Sequence, residues 1–141
     1  MRTPIVTLIL MVALAAVTAG VEAEPTTPDA AVAAEIPEEA RSLKSPVPSS
    51  AKSIEQGQRL FASQCAMCHG KTGDGSGDLA VRLKMVVPDF SSEEKQKART
   101  DGELFYILTE GHGRMQGQGD RLSEEWRWDL VNAIRSMATK P

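Results

Sequence analysis

Residues 65–69 read Cys65-Ala66-Met67-Cys68-His69, and no other stretch restricts the chain as much. An α-helix turns once in about 3.6 residues, so two cysteines three positions apart fall on one face. Two thiols on one face, followed at once by an imidazole, match the attachment pattern of c-type haem. The thiols suit the two vinyl groups of one porphyrin, and the imidazole nitrogen reaches the iron from below. Cys65 and Cys68 are therefore expected as thioether donors and His69 as the proximal iron ligand. A chain that carries such a group must fold around a flat apolar disc.

Other chemistries suit the motif less well. A thioredoxin-like dithiol needs a βαβ pattern that this chain lacks. A structural zinc site needs four nitrogen or sulfur ligands. Only Cys65, Cys68, His69 and His112 are on offer, and His69 adjoins Cys68. A structural disulfide leaves His69 without a purpose. Aromatic residues make up 4% of the 141 positions, which is thin for a self-sufficient core. A covalent haem supplies the missing apolar volume, as small domains often require.

The flanking segments define a domain plan. Residues 1–23 read as a secretory signal: Arg2 is the positive end, 5–17 is almost wholly apolar, and Val21-Glu22-Ala23 has the shape of a cleavage site. The apolar run is short for a membrane span of about 20 residues. Membrane association is expected only if the segment stays uncleaved. Cleavage removes Arg2 and Glu22, so the net charge stays at −3. Nothing in that charge suggests nucleic-acid binding, which leaves a basic footprint. Residues 24–52 carry Pro25, Pro28, Pro37, Pro46 and Pro48 among small and polar residues, and are expected as a flexible, disordered linker. The haem domain is expected over 53–141.

Within that domain, Ser53 and Gln56 have the form of a capping box, with a helix running on toward Cys65 through Gly57, Leu60 and Phe61. Glycines at 70–78 allow tight turns. This loop fails the calcium pattern, because Leu79 stands where glycine is required and Met85 where a bidentate glutamate belongs. It also fails the P-loop pattern. A short helix is expected over 79–84 and a charged, solvated stretch over 91–99. Thr100 caps a helix that ends at Gly111, and a flexible loop follows over 111–119. Ser123 caps the last helix, 124–138, with an apolar stripe at Trp126, Leu130, Val131, Ile134 and Met137.

An electron-shuttling iron needs a sixth ligand, and thioether opposite imidazole raises the reduction potential. Met115, in the glycine-flanked loop between two helices, is the expected distal ligand. His112 and Met85 are the alternatives. Met67 lies inside the motif and is expected to point elsewhere, and Met137 is expected as core filler.

The ordered set of motifs resembles the cytochrome c family, specifically a small class I c-type monohaem cytochrome of bacterial type. The matching stretches are Gly57-x-x-x-Phe61, Cys65 to Gly70, Gly73-Asp74-Gly75-x-Gly77, Pro88-Asp89-Phe90, Arg99 to Phe105, Gly111-x-Gly113-x-Met115 and Leu130-Val131-x-x-Ile134-Arg135. The resemblance implies an all-α cytochrome c fold. Three to four helices would surround one covalent haem c, and the first and last would cross near Gly57 and Phe61. It implies Cys65, Cys68, His69 and Met115 at the haem, and no metal besides its iron. The implied activity is single-electron transfer between redox protein partners in the periplasm, with the exposed porphyrin edge as the port. The chain departs from the pattern at Asp78 and Gln116, where proline is common, and at Ala133, where an aromatic is common. Two alternatives remain in view. One is a haem subunit of a larger periplasmic oxidoreductase. The other is a gas sensor or peroxidase with Met115 off the iron.

Overall fold

A computed structural model describes residues 35–138. The expected signal segment and the first part of the expected linker lie outside the described residues. Seven helices follow one another among those described: α1 Glu38–Ser42, α2 Ala51–Gln64, α3 Ala66–His69, α4 Asp78–Leu83, α5 Glu93–Lys97, α6 Asp101–Glu110 and α7 Glu124–Ser136. A two-stranded hairpin, β1 Gly111–His112 and β2 Met115–Gln116, separates the last two. None of the described helices is long and apolar enough to cross a membrane.

The frame is the crossing of α2 on α7. Ser53, Gly57, Leu60 and Phe61 are the buried positions of α2, a spacing that puts them on one face. Gly57 lies on α7, and a Cβ there would run into the Asp129 carbonyl and come within 2.7 Å of the Ala133 Cβ. The small Ala133, where the family commonly has an aromatic, therefore meets the small Gly57. Along α7, Trp128, Leu130 and Val131 are the largest fully buried side chains. Each stabilises the fold by roughly 1.5–3 kcal/mol relative to exposure. The Trp128 ring stacks on Phe105 of α6 with centroids 4.1 Å apart, and Arg127 lies over the same Phe105 ring.

Several local expectations are corrected. The cap of α2 is Ser50, whose side chain accepts from the Ser53 N–H. Ser53 sits a turn further in, donating its hydroxyl to Asp129 Oδ1 at 2.5 Å and accepting from Asn132 Nδ2 at 2.8 Å. Two buried polar partners on α7 outweigh a cap position. Trp126 is 44% exposed, and Trp128 takes the interior instead. Phe105 offers position 128 a stacking surface. Residues 91–99 are not merely solvated. They contain α5, and buried Gln96 donates to the Phe90 and Ile134 carbonyls at 2.5 and 2.7 Å.

The linker expectation fails for its second half. Ile36 and Ala40 are buried, and α1 packs on α6 where Gly102 leaves no room for a side chain against the Ala40 carbonyl. Thr100 Oγ1 donates to the Arg41 carbonyl at 2.9 Å. Further on, Asn132 Nδ2 reaches the Val47 and Pro48 carbonyls. Few apolar residues suffice here because the folded body supplies the other half of each contact.

Two caps hold as expected. Thr100 and Glu103 form a reciprocal capping box, with bonds of 3.1 and 2.7 Å, and Ser123 accepts from the Trp126 N–H. The loop expected after α6 is instead ordered into the hairpin, pairing Gly111 with Gln116 and His112 with Met115. Its two-residue turn starts at Gly113, whose φ is 55°, and glycine at that place suits a two-residue hairpin.

Candidate haem site

Local hydrogen bonds set the motif geometry. The Cys65 N–H closes α2 on the Phe61 carbonyl at 2.9 Å, and the Cys65 carbonyl then accepts from Cys68 and His69 at 3.1 and 2.9 Å. Cys65, Cys68 and His69 thus share a single turn at the α2–α3 junction. Both thiols are free and half-buried. Burial, with a smaller contribution from Cys68, pushes the Cys65 thiol up to about 11. It is therefore protonated at neutral pH and a poor thiolate nucleophile.

His69 is the buried member, 9% exposed. Its ring stacks on Phe90 with centroids 5.1 Å apart and meets Phe61 at 6.2 Å. Burial lowers its pKa, and the Pro88 backbone oxygen partly opposes that fall. The imidazole is therefore neutral at physiological pH, the form that ligates a metal. Nδ1 is buried and makes no hydrogen bond of ordinary geometry.

The glycine loop wraps this turn. Gly75 N–H donates to the His69 carbonyl at 2.8 Å, and Phe90 N–H to the Gly73 carbonyl at 2.6 Å, which brings Phe90 onto the imidazole. Gly77 rests on the motif backbone, where a Cβ would collide with the Cys68 carbonyl group. Asp78, which stands where proline is common, opens α4. The Pro88 backbone oxygen faces His69. The motif Pro88-Asp89-Phe90 was visible in the sequence, but only the loop closure reveals that Pro88 and Phe90 serve the imidazole.

Met115 lies on β2, half-buried, and packs against the same apolar core that Cys65 and Ala66 border. Its neighbour across the hairpin, His112, is turned to Glu35 with Nδ1 3.3 Å from Oε2. Met85 is half-buried and follows Lys84, whose φ is 51°. Met67 is 64% exposed, and Met137 packs on the core, both as expected.

These residues suit a covalent haem. Two reduced thiols one turn apart provide the attachment. A buried neutral imidazole directly after the second thiol provides a ligand in the form that binds a metal. A helical fold built around such a motif defines a c-type cytochrome.

The comparisons agree with that class. The chain belongs to the family described as cytochrome C oxidase, cbb3-type, subunit III, whose model matches residues 52–132. It is 28% identical over 85 residues to cytochrome c6 of Bumilleriopsis filiformis, across 60% of this chain and 92% of that protein. The solved KustC0563 c-type cytochrome matches with a TM-score of 0.52 and 26% identity, covering 59% of this chain and 98% of its own. A chain of the Kuenenia stuttgartiensis reducing HAO-like protein complex Kustc0457/Kustc0458 shares the fold at a TM-score of 0.58. Its identity is 21%, over 67% of this chain and 48% of that one. The protein is an electron carrier of the c type and binds haem c covalently.

Proposed function

We propose that this protein is exported, carries one haem on Cys65 and Cys68, and uses His69 and Met115 as axial ligands to pass single electrons between redox proteins. The bound haem supplies one-electron chemistry, its iron alternating between ferric and ferrous states. The rest is the work of the chain. Cys65 and Cys68 hold the group at a fixed place on the α2–α3 turn. Burial and the Phe90 stack keep His69 neutral and oriented. Met115, on the hairpin, would offer the iron a soft thioether, which favours the ferrous state. His112 is engaged by Glu35, which supports Met115 over His112. The observation that carries the reading is His69 itself, buried and directly after the second of two free thiols one turn apart.

The domain plan belongs to this proposal: a signal over 1–23, a short tether, and a folded unit whose N-terminal edge is near Ile36 rather than Ser53. Export delivers the chain to the periplasm, where haem attachment of this kind takes place.

Acid–acetone extraction of the exported protein tests the attachment. The pigment stays with the polypeptide, and the intact mass exceeds the mature chain starting at Glu24 by one haem. A colourless product two hydrogens short in mass means a Cys65–Cys68 disulfide and refutes the proposal.

A second reading, a haem subunit of a larger periplasmic oxidoreductase, is favoured by the matched family being named for an oxidase subunit. Purification of the tagged chain from its host under mild conditions separates the two. A free monomer supports the carrier, and a stoichiometric oxidoreductase complex supports the subunit.

A further inference from the structure

Helix α5 reads Glu-Glu-Lys-Gln-Lys and has nothing apolar to bury, yet Gln96 alone of its five residues is buried, at 7% exposure. A long polar side chain loses rotamer freedom when it is buried, and its amide must find partners there. Both amide hydrogens of Gln96 do so. Nε2 donates to the Phe90 carbonyl at 2.5 Å and to the Ile134 carbonyl at 2.7 Å. One side chain thus ties residue 90, which precedes α5, to the last turn of α7. Arg135, next to Ile134, fixes the backbone around it. Its Nη1 donates to the Gln96 carbonyl and its Nη2 to the Arg99 carbonyl, each at 2.7 Å.

The tie gains its meaning from what residues 88–90 carry. The Phe90 ring stacks on the His69 imidazole, with centroids 5.1 Å apart and planes 21° from parallel. The Pro88 backbone oxygen, two residues earlier, faces the same imidazole. The Phe90 N–H is bonded to the Gly73 carbonyl at 2.6 Å. The segment therefore has one anchor on the glycine loop and a second on α7, and Gln96 makes the second. Lys95 grips Asp89 from the same helix at 2.7 Å, but that pair is open to solvent and holds weakly.

We propose that Gln96 is a positioning residue for the proximal ligand: by pinning the Phe90 carbonyl to α7, it fixes the plane of the His69 ring and keeps the Pro88 oxygen against it. The inference rests on the reading of His69 as an iron ligand above. The packing and partner of a ligating imidazole set its orientation and its basicity. A backbone carbonyl beside the ring raises that basicity, and a more basic imidazole favours the ferric state. Releasing the segment therefore moves the balance toward the ferrous state. A purely architectural tie between α5 and α7 would support stability and leave the iron untouched.

The test compares Gln96→Met with the wild type as holoproteins. Methionine fills a similar volume and donates to neither carbonyl. Two readouts lie at the iron rather than in the fold. One is the ratio of ferrous to ferric protein in a redox buffer of fixed potential. The other is the set of hyperfine-shifted proton resonances of the His69 ring in the ferric state. The variant raises the ratio by about threefold or more and displaces those resonances. Thr100→Ala is the control. It removes the cap of α6, lowers the thermal midpoint and leaves both readouts at wild-type values. If Gln96→Met gives no holoprotein, Gln96→Asn takes its place. It keeps an amide but is a methylene too short to span both carbonyls, and the same direction of change is expected. Wild-type ratio and resonances in the variant that folds overturn the proposal, whatever its thermal midpoint. An equal change in Thr100→Ala also overturns it, because the readouts would then follow global stability. Wild-type His69 resonances without a hyperfine shift overturn the ligand assignment on which the inference rests.

Discussion

Gly57 of α2 and Asp129 of α7 meet backbone to backbone, with no space for even a methyl group between them. That contact sets how closely the two long helices approach, and so where the turn carrying Cys65 and His69 is held. A glycine in mid-helix costs about 1 kcal/mol of propensity against alanine. The close approach lets Ser53, Leu60 and Phe61 bury on the same face, which outweighs that cost.

Gly57→Ala therefore destabilises despite its better propensity. The added methyl faces a carbonyl and the Ala133 Cβ, neither of which is a flexible side-chain end. Overpacking costs about 1–3 kcal/mol and the better propensity offsets about 1 kcal/mol of it, so the net loss is up to about 2 kcal/mol, and Gly57→Val loses more. Denaturant unfolding of the ferric protein, followed by circular dichroism, measures it.

The segment before α2 is structural. Deleting residues 36–46 from the exported holoprotein uncovers α6 at Gly102 and removes the Thr100–Arg41 and Arg41–Glu103 contacts. The thermal midpoint is expected to drop by about 5 °C or more. An unchanged midpoint would mean that the segment is a passive tether.

Asp89 gives a pH dependence with a definite sign. Lys95, at 2.7 Å, and the Ser91 hydroxyl and N–H lower its pKa from 3.8 to about 2. A depressed carboxyl stabilises the fold above its ordinary pKa, and that contribution is lost as pH falls through the folded value. Stability that depends on this group therefore declines between about pH 4 and pH 2. Asp89→Asn flattens the curve in that window and leaves it unchanged near neutrality in shape. The effect is small, because the group is close to solvent. Urea midpoints across pH report it.

Met115→Ala removes the proposed thioether. The reduction potential is expected to fall, and the ferric charge-transfer band near the red edge of the visible spectrum to disappear. His112→Ala keeps both. If Met115→Ala leaves the band unchanged, Met85 becomes the ligand to test.

Legibility followed the range of the interaction. Thr100–Glu103 and Ser123–Trp126 are contacts between residues three apart, and both caps were readable in order along the chain. The choice between Ser50 and Ser53, and between Trp126 and Trp128, was not. Each pair offers equivalent residues locally, and Asp129, Asn132 and Phe105 make the selection from far away in sequence. The order of residues 36–48 is illegible in the sequence for the same reason. Its own composition is that of a mobile chain, and the surface that orders it belongs to α6 and α7.

The amino-acid sequence alone determined the chemistry: two thiols and an imidazole within one helical turn, a local geometry that no distant contact needs to create. Tertiary structure decided what surrounds that turn. It brought Pro88 and Phe90 to His69, turned His112 toward Glu35, and left Val81, Leu83 and Val86 in solvent. Those outcomes depend on loop closures over many residues, whose entropic cost is met only by the assembled core.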